Sequence, residues 1–236
     1  MHRFLVIAVI VGLCTYPLVA SGWSQEVVRE KPPAKPRLLP GIQPGGAVLL
    51  PNQWSLRPAG KQLVLGDFPV NIALHLGGQW LAVLHAGYGP HEVVIVDGKS
   101  QKIVSRVTLD QAFYGLCFSP DGRQLFASGG EFEVVHAFDF ADGLLSRHRR
   151  FPVAKPAQKF IPAGLAIDAT GRLLFAAGPW GHAVCIVPLD APDQCTAVAV
   201  GKESYPYACA VDREGKRLFV SLWNRAAVAV IASRGG

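Results

Sequence analysis

The sequence predicts an all-β protein, a β-propeller built of four-stranded antiparallel blades. Three observations support this fold class: an internal repeat of 44 to 49 residues, apolar runs of strand length within each repeat, and turn residues between those runs. The 236 residues include 25 glycines and 18 prolines, and only 17% of them are charged. So many helix-breaking residues favour short strands joined by turns, and so little charge argues against disorder.

The first 22 residues have the order of a secretory signal peptide. Residues 1–3 are a short basic start, residues 4–19 are almost wholly apolar, and residues 20–22 are small. An uncharged stretch of about 16 residues is short for a membrane span, which needs about 20. We therefore predict a signal peptide over residues 1–22, export to the periplasm or the exterior, and no membrane span in the mature chain.

Residues 23–48 are predicted to be a linker rich in proline and glycine. Five prolines fall within residues 32–44, and each proline fixes φ and removes a backbone donor. The partial propeller is predicted for residues 49–236.

Each repeat has a glycine in a tight turn between two apolar runs. These glycines are Gly78, Gly122, Gly171 and Gly215, spaced 44, 49 and 44 residues apart. A third apolar run follows in each repeat, and a fourth closes the first three repeats. Four short strands in about 45 residues are typical of a propeller blade, whereas a β-sandwich lacks internal repeats. Blades are therefore predicted near residues 68–111, 112–160, 161–204 and 205–236.

The turn segments FSPDGRQLFASG, IDATGRLLFAAG and VDREGKRLFVSL resemble those of YVTN-repeat propellers, which are YncE-like and lactonase-like. The resemblance covers about residues 49–232. The stretches PNQWSLRPAGKQLVLGDFPVNIALH, HAGYGPHEVVIVD and SGGEFEVVHAFDF resemble the propeller half of exported bacterial proteins in which such a propeller precedes an alkaline-phosphatase-like phosphoesterase domain.

This resemblance implies seven blades, whereas the sequence supplies about three and a half. Residues 49–67 look like the outer strand of a closing blade. Because an open arc would leave apolar blade faces in water, we interpret the chain as a fragment, with a ring-closing dimer as the alternative. The implied partners are further C-terminal blades and a phosphoesterase domain.

One face of the predicted propeller collects the candidate ligand-binding residues. The loops between second and third strands share this face, here called the channel face, with the loops that lead into the next blade. Aromatic rings together with His, Glu and Arg suit an amphiphilic or anionic ligand, although the tryptophans could instead cover blade interfaces. The candidates are His85, Tyr88, His91, Glu131, Trp180, His182, Trp223 and Arg225.

No catalytic set is assigned from the sequence. It contains no G-x-S-x-G motif, no HExxH or paired CxxC spacing and no phosphate loop. His85, His91 and His182 could together bind a metal, but their spacing matches no metal motif, so no metal or cofactor is expected. Glu131 and Glu133 are the acidic pair of this face and are interpreted as solvated loop carboxylates.

The function predicted from these residues is an exported binding or scaffold module for an unknown small molecule or protein, without catalysis by this chain alone. The alternatives are a lactonase-like hydrolase and the propeller half of a bifunctional phosphoesterase. Nucleic acid is not expected as a partner, because the net charge of +6 is modest and spread along the chain.

Two cysteines are placed to form a disulfide. Cys185 and Cys195 lie on successive predicted strands, symmetric about Asp190, and cross-strand partners can be about 5.5 Å apart. Cys117 and Cys209 are predicted to be buried free thiols.

Overall fold

A computed structural model of the chain describes residues 38–155 and 158–233. The predicted signal peptide lies outside the described residues, as does the linker before residue 38. The chain divides into two compact units, and the boundary between them lies after Gly60. Within the described residues no helix has the length and hydrophobicity needed to cross a bilayer.

The described part of the first unit is a small antiparallel sheet of three two-residue strands. These are β1 (Gly41–Ile42), β2 (Val48–Leu49) and β3 (Ser55–Leu56), with β2 in the middle. The linker prediction thus ends in a segment that contains short strands. In this structure Ser55–Leu56 pairs with β2, and its role as the outer strand of a closing blade stays a prediction.

The second unit consists of three four-stranded sheets and one three-stranded sheet, all antiparallel and all in chain order. We call them blades I to IV. Blade I contains β4 (Pro69–Leu74), β5 (Trp80–His85), β6 (Glu92–Asp97) and β7 (Lys102–Thr108); blade II contains β8 (Leu116–Phe118), β9 (Gln124–Ser128), β10 (Val134–Ala141) and β11 (Leu144–Pro152); blade III contains β12 (Leu165–Ile167), β13 (Leu173–Gly178), β14 (Ala183–Pro188) and β15 (Thr196–Ala199); blade IV contains β16 (Pro206–Val211), β17 (Arg217–Leu222) and β18 (Ala227–Ala232).

Short 3₁₀ turns precede three of these strands, at Gly130–Phe132, Pro192–Gln194 and Trp223–Arg225. The predicted all-β class with four-stranded antiparallel blades is confirmed.

The first strands of successive blades lie against one another, β4 against β8, β8 against β12, and β12 against β16. Glycine makes this approach possible. A Cβ on Gly115 would lie 2.2 Å from the carbonyl oxygen of Ala163, and one on Gly164 would lie 2.6 Å from that of Tyr207. Any larger residue at these two positions would push neighbouring blades apart.

Apolar side chains between the sheets form the core. One cluster lies between blades I and II, a second between blades II and III, and a third between blades III and IV. In blades I to III the second and third strands are mostly buried, as their continuous apolar sequences require. In blade IV, β17 alternates and β18 is largely exposed. The outermost strand of blade I instead alternates between exposed and half-buried residues.

The turns opposite the channel face have the predicted chemistry. Gly78, Gly122, Gly171 and Gly215 have φ values between +67° and +72°, a conformation that suits glycine. A polar side chain just before each turn accepts backbone N–H groups from it. Asp212 Oδ1, for example, accepts the N–H of Lys216 at 2.7 Å.

Candidate functional site on the channel face

The residue immediately before the third strand uses its carbonyl to hold the end of the fourth strand of its own blade. We call His91, Glu133 and His182, which occupy this position in blades I to III, the pre-strand residues. Their carbonyl oxygens accept the N–H groups of Leu109, Val153 and Val200, at 2.8, 2.9 and 3.0 Å. Because each of those partners follows a fourth strand, the repeat places the three pre-strand side chains beside the loop that enters the next blade.

His91 uses both ring nitrogens for structural hydrogen bonds. Its Nδ1 accepts the N–H of Ala112 at 2.7 Å, so the proton is on Nε2, which donates to the carbonyl of Gly87 at 3.2 Å. His91 therefore connects blade I to the loop leading into blade II. Neither nitrogen is left for a metal or for proton transfer.

Glu133 makes the equivalent connection from blade II to blade III. Its side chain is only 2% exposed, and Oε2 accepts the N–H of Ile161 at 2.7 Å. Burial raises the pKa of this carboxyl, while hydrogen bonds from the N–H groups of Ile161 and Phe160 act against the rise. The interpretation as a solvated loop carboxylate is wrong for Glu133, because the 3₁₀ turn before it carries the side chain inward. Glu131, within that turn, is exposed.

His182 occupies the same position in blade III but lacks the equivalent hydrogen bond. Its Nδ1 is shielded from solvent and has no hydrogen-bond partner, and the ring meets Tyr205 edge-on at 4.9 Å between centroids. Ser204, in the loop beside it, also has a buried hydroxyl without a partner. Among the pre-strand residues of the described blades, His182 is thus the one whose side chain is not tied to the backbone of the next blade.

His85 is fully buried at the end of β5. Its Nε2 accepts the N–H of Gly66 at 3.2 Å, and its Nδ1 lies 3.7 Å from Oε1 of Glu92, which also pairs with Arg106. Burial lowers the pKa of the imidazole, Glu92 acts against that effect, and Arg106 lowers it further. The structure therefore places His85 in a cross-strand network inside blade I. Tyr88, three residues later, is fully exposed.

Six aromatic side chains from blades II, III and IV meet on the channel face. Successive ring centroids lie 4.9 to 6.5 Å apart, with tilted or edge-to-face geometry. We call this group the aromatic cluster; its members are Phe113, Tyr114, Trp180, Tyr205, Tyr207 and Trp223. The sequence also places Tyr205 and Tyr207 on this face, but only the two tryptophans were predicted as ligand residues. Phe113 and Tyr114 lie in the loop that leads into β8.

The small residues of blade III allow rings of blades II and IV to touch. Tyr207 accepts the N–H of Gly164 through its carbonyl at 2.8 Å, and its ring reaches Tyr114 at 4.9 Å. Tyr114 is held from blade I, since its carbonyl accepts Nδ2 of Asn71 at 2.8 Å. Burial, followed by the nearby Tyr114, raises the pKa of Tyr207. Its hydroxyl therefore stays protonated and can donate a hydrogen bond.

Part of the aromatic cluster is open to solvent. Trp223 is 75% exposed and Trp180 49% exposed. A cavity of about 650 Å³ is lined by Tyr207, Trp223 and residues of β17 and β18, and one of about 430 Å³ is lined by Tyr205, Trp223 and Asn224. Both volumes fall within the usual range for small-molecule sites.

Hydrogen bonds from the loop after β17 hold the segment that leads into blade IV. Arg225 donates from Nη2 to the carbonyl of Lys202 at 2.8 Å, and Asn224 donates from Nδ2 to that of Glu203 at 3.1 Å. Arg225 is exposed, so it places a positive charge beside the cavities. In the part of the chain that the structure describes, no group of three His, Cys, Asp or Glu side chains could hold a metal ion.

The four described cysteines are free thiols. Cys185 pairs across the sheet with Ala197 and not with Cys195. The expected symmetry about Asp190 is wrong by two residues, because the 3₁₀ turn Pro192–Gln194 lengthens the second arm of the hairpin.

Comparisons with known proteins place this geometry in a family. The model of the SMP-30/Gluconolactonase/LRE-like region matches residues 77–224. That range includes every member of the aromatic cluster and all three pre-strand residues. A 6-phosphogluconolactonase of Sodalis glossinidius (strain morsitans) is 26% identical over 159 residues, which is 61% of this chain and 47% of that protein.

Solved structures show the same fold at low sequence identity. The periplasmic gluconolactonase of Pseudomonas aeruginosa matches with a TM-score of 0.62 and 17% identity, over 81% of this chain and 60% of that one. A virginiamycin B lyase of Staphylococcus aureus, solved with quinupristin, matches with a TM-score of 0.58 and 14% identity, over 79% and 55%. The chain spans about half the length of the curated relative and under two thirds of these structures. The comparisons support the hydrolase alternative better than the scaffold interpretation.

Proposed function

The chain belongs to the SMP-30/gluconolactonase/LRE-like family, and from this membership we propose that its channel face binds a lactone and takes part in its hydrolysis. The observation that carries the proposal is the family match over residues 77–224, which includes His182 and the aromatic cluster. The proposal covers only the part of the lactone site that the residues of this chain form.

The aromatic cluster supports ring binding. Trp180 and Trp223 expose flat apolar surface, and the flat or puckered ring of a lactone can lie against such a face. Arg225, beside the cavities of blade IV, would attract an acidic substituent or the carboxylate formed on ring opening.

His182 is the side chain we assign to proton transfer. Its ring lies against Tyr205 of the aromatic cluster and makes no side-chain hydrogen bond to a described residue. Because Nδ1 is shielded from solvent, the proton would pass through Nε2. The imidazole would take a proton from a water molecule as that water attacks the lactone carbonyl. The ring C–O bond then breaks, and the leaving alkoxide receives the proton, which yields the hydroxy acid.

Hydrolysis of glucono-lactone and of 6-phosphogluconolactone, followed with and without added divalent cations, tests the proposal. We expect turnover by the wild type and a loss of about 10²- to 10⁴-fold in kcat for His182→Gln. The matched control is His75→Gln on the opposite face, where His75 accepts the N–H of Gly77 in a turn. No turnover above the uncatalysed rate, or equal rates in wild type and His182→Gln, would overturn it.

The setting of this function is a further part of the proposal. A signal-like N-terminal sequence and the structural similarity to a periplasmic gluconolactonase support work outside the cytoplasm. The finer assignment to YVTN-repeat, YncE-like propellers is supported by the repeated turn sequences alone. The association with a phosphoesterase domain is supported only by the resemblance of the stretches that begin at Pro51, His85 and Ser128.

A further inference from the structure

Two of the described cysteines share one core region between blades II and III. Cys185, in β14, is completely buried, and Cys195, just before β15, is half-buried. Both contact the same apolar cluster, which includes Phe151, Val153 and Val187. Their side chains therefore point to the same face of blade III.

The strand register makes these residues diagonal neighbours. Cys185 pairs with Ala197, and Cys195 precedes Ala197 by two residues. Diagonal positions on one face have Cβ atoms within about 7–8 Å. The thiol of Cys195 is close enough to Cys185 to be its hydrogen-bond partner, and burial together with that contact raises the pKa of the Cys185 thiol.

Cys195 is held only weakly, by a hydrogen bond from its Sγ to the carbonyl of Val153 at 3.6 Å. It lies outside the strand ladder, between the 3₁₀ turn Pro192–Gln194 and the first paired residue, Thr196. Strand β15 has only four residues, three of them exposed, and lies at the outer edge of the blade. A small shift there, with no change in the inner strands, would reach the Cβ–Cβ separation of about 3.5–4.5 Å that a disulfide needs.

We propose that Cys185 and Cys195 form an intramolecular disulfide when the chain folds in the presence of a disulfide oxidant. The accessible Cys195 thiolate attacks the oxidant and forms a mixed disulfide, releasing one thiol. The Cys185 thiolate then attacks Sγ of Cys195 and expels the second thiol of the oxidant. Two cysteine protons and two electrons have then passed to the oxidant, which leaves as two thiols.

We expect the disulfide to form during folding, before the core between blades II and III is closed. In the native structure Cys185 is sealed from solvent and its pKa is raised, so it is a poor nucleophile. Before blades II and III close over it, both thiols are open to the oxidant.

The disulfide would stabilise a segment that leads to the channel face. After β15, the N–H of Val200 bonds to the carbonyl of His182, and the loop that follows carries Tyr205. Fixing the start of β15 to β14 thus fixes the outer end of the segment that positions His182 and part of the aromatic cluster.

The other two cysteines are internal controls. Cys117, in β8, and Cys209, in β16, lie near enough for the charge of Cys209 to act on Cys117, but both thiols are buried in the core. Cys209 Sγ also donates to the carbonyl of Gly164 at 3.3 Å. Burial raises the pKa of Cys209 to about 12. We expect both to stay reduced.

Peptide mapping of the full chain, refolded with oxidised and reduced glutathione, tests the proposal. The protein is alkylated under denaturing conditions without reduction and cleaved on the N-terminal side of Asp190 and Asp193, which separates the two cysteines. We expect a linked Cys185–Cys195 pair, with Cys117 and Cys209 alkylated. Alkylation of all four cysteines, or linkage of any other pair, would overturn it.

Thermal unfolding gives a second measurement that does not depend on mapping. Oxidised wild type should unfold at a temperature about 5–10 °C above that of the reduced protein, since the link closes a short loop in the unfolded chain. The variant C195S should show no difference between the two conditions, whereas C117S should keep it. The same oxidised and reduced Tm in wild type would contradict the proposal even if C195S failed to fold.

Discussion

Blades II and III differ at one equivalent position, and the difference separates a structural residue from a candidate catalytic one. Glu133 and His182 both stand directly before a third strand, both have positive φ, and both use their carbonyl to hold the end of the fourth strand. Glu133 also binds the backbone of the next blade through its side chain, whereas Nδ1 of His182 has no partner. One repeat position therefore supplies stability in one blade and an available imidazole in the next.

Replacing Glu133 should have the largest effect on stability. Glu133→Ala leaves the N–H of Ile161 buried without an acceptor, and we expect a loss of about 2–4 kcal/mol in the free energy of unfolding. Urea unfolding followed by circular dichroism measures it. Glu131→Ala, in the exposed turn two residues earlier, should cost under about 0.5 kcal/mol. Equal losses for the two variants would remove the structural half of the comparison.

A methyl group at Gly164 should disturb the aromatic cluster next most strongly. Its Cβ would lie 2.6 Å from the carbonyl of Tyr207, so Gly164→Ala must move β16 away from β12. We expect a loss of about 1–3 kcal/mol and a change in tryptophan fluorescence as Tyr207 withdraws from Trp223. Gly89→Ala is the control, because its added Cβ would meet its nearest atom, Cβ of Asp67, at an ordinary contact distance of 3.4 Å and its φ is not positive. Unchanged fluorescence in Gly164→Ala would show that the cluster does not depend on this close approach.

Acid should weaken the network of blade II through His136. Nε2 of this buried residue donates to the carbonyl of Gln111 at 2.8 Å, and Nδ1 contacts Nε2 of His148 at 2.9 Å. Burial lowers the pKa of His136 below the unfolded value of 6.5, so its stabilising effect is present above pH 6.5 and is lost as the pH falls through the folded value.

We expect the free energy of unfolding to fall by about 1 kcal/mol for each pH unit in that acidic range. Urea midpoints at pH 7.5, 6.5 and 5.5 measure the fall, and His136→Gln should reduce its slope. A midpoint independent of pH, or an identical slope in the variant, would be the contrary result.

His182→Gln should have the smallest effect on stability. Because Nδ1 of His182 has no hydrogen-bond partner, the substitution removes no described hydrogen bond, and we expect a change under about 1 kcal/mol. His91→Gln, which removes the acceptor for Ala112 N–H, should cost about 1–2 kcal/mol. Urea unfolding of the two variants side by side checks this order, and a larger loss for His182→Gln would assign that residue a structural role.

The blades could be predicted from sequence because their signals are local. A glycine in each turn, the polar residue before it and the apolar runs on either side lie within a dozen residues. The predicted pairing of Cys185 with Cys195 was wrong because a short 3₁₀ turn after Asp190 lengthens only the second arm of the hairpin. Sequence cannot show such an asymmetry without a turn signature that fixes it.

The candidate site depends on contacts between blades. Local sequence patterns do not predict such contacts, because the residues involved lie far apart in the chain. The burial of Glu133 is set by a loop nearly thirty residues later. The meeting of Tyr114 with Tyr207 depends on a glycine in the blade between them. Trp180 and Trp223 stand out in the sequence as aromatic residues in loops, whereas the contacts among the six rings of the aromatic cluster required the fold.

We propose that the channel face acts on lactones and that His182 transfers the proton. The most direct measurement is the rate of gluconolactone opening by wild type, His182→Gln and Glu133→Gln at a temperature where all three are folded. We expect turnover by wild type, a loss of at least about 100-fold in kcat for His182→Gln, and a rate within about threefold of wild type for Glu133→Gln. Equal rates in all three proteins would contradict it.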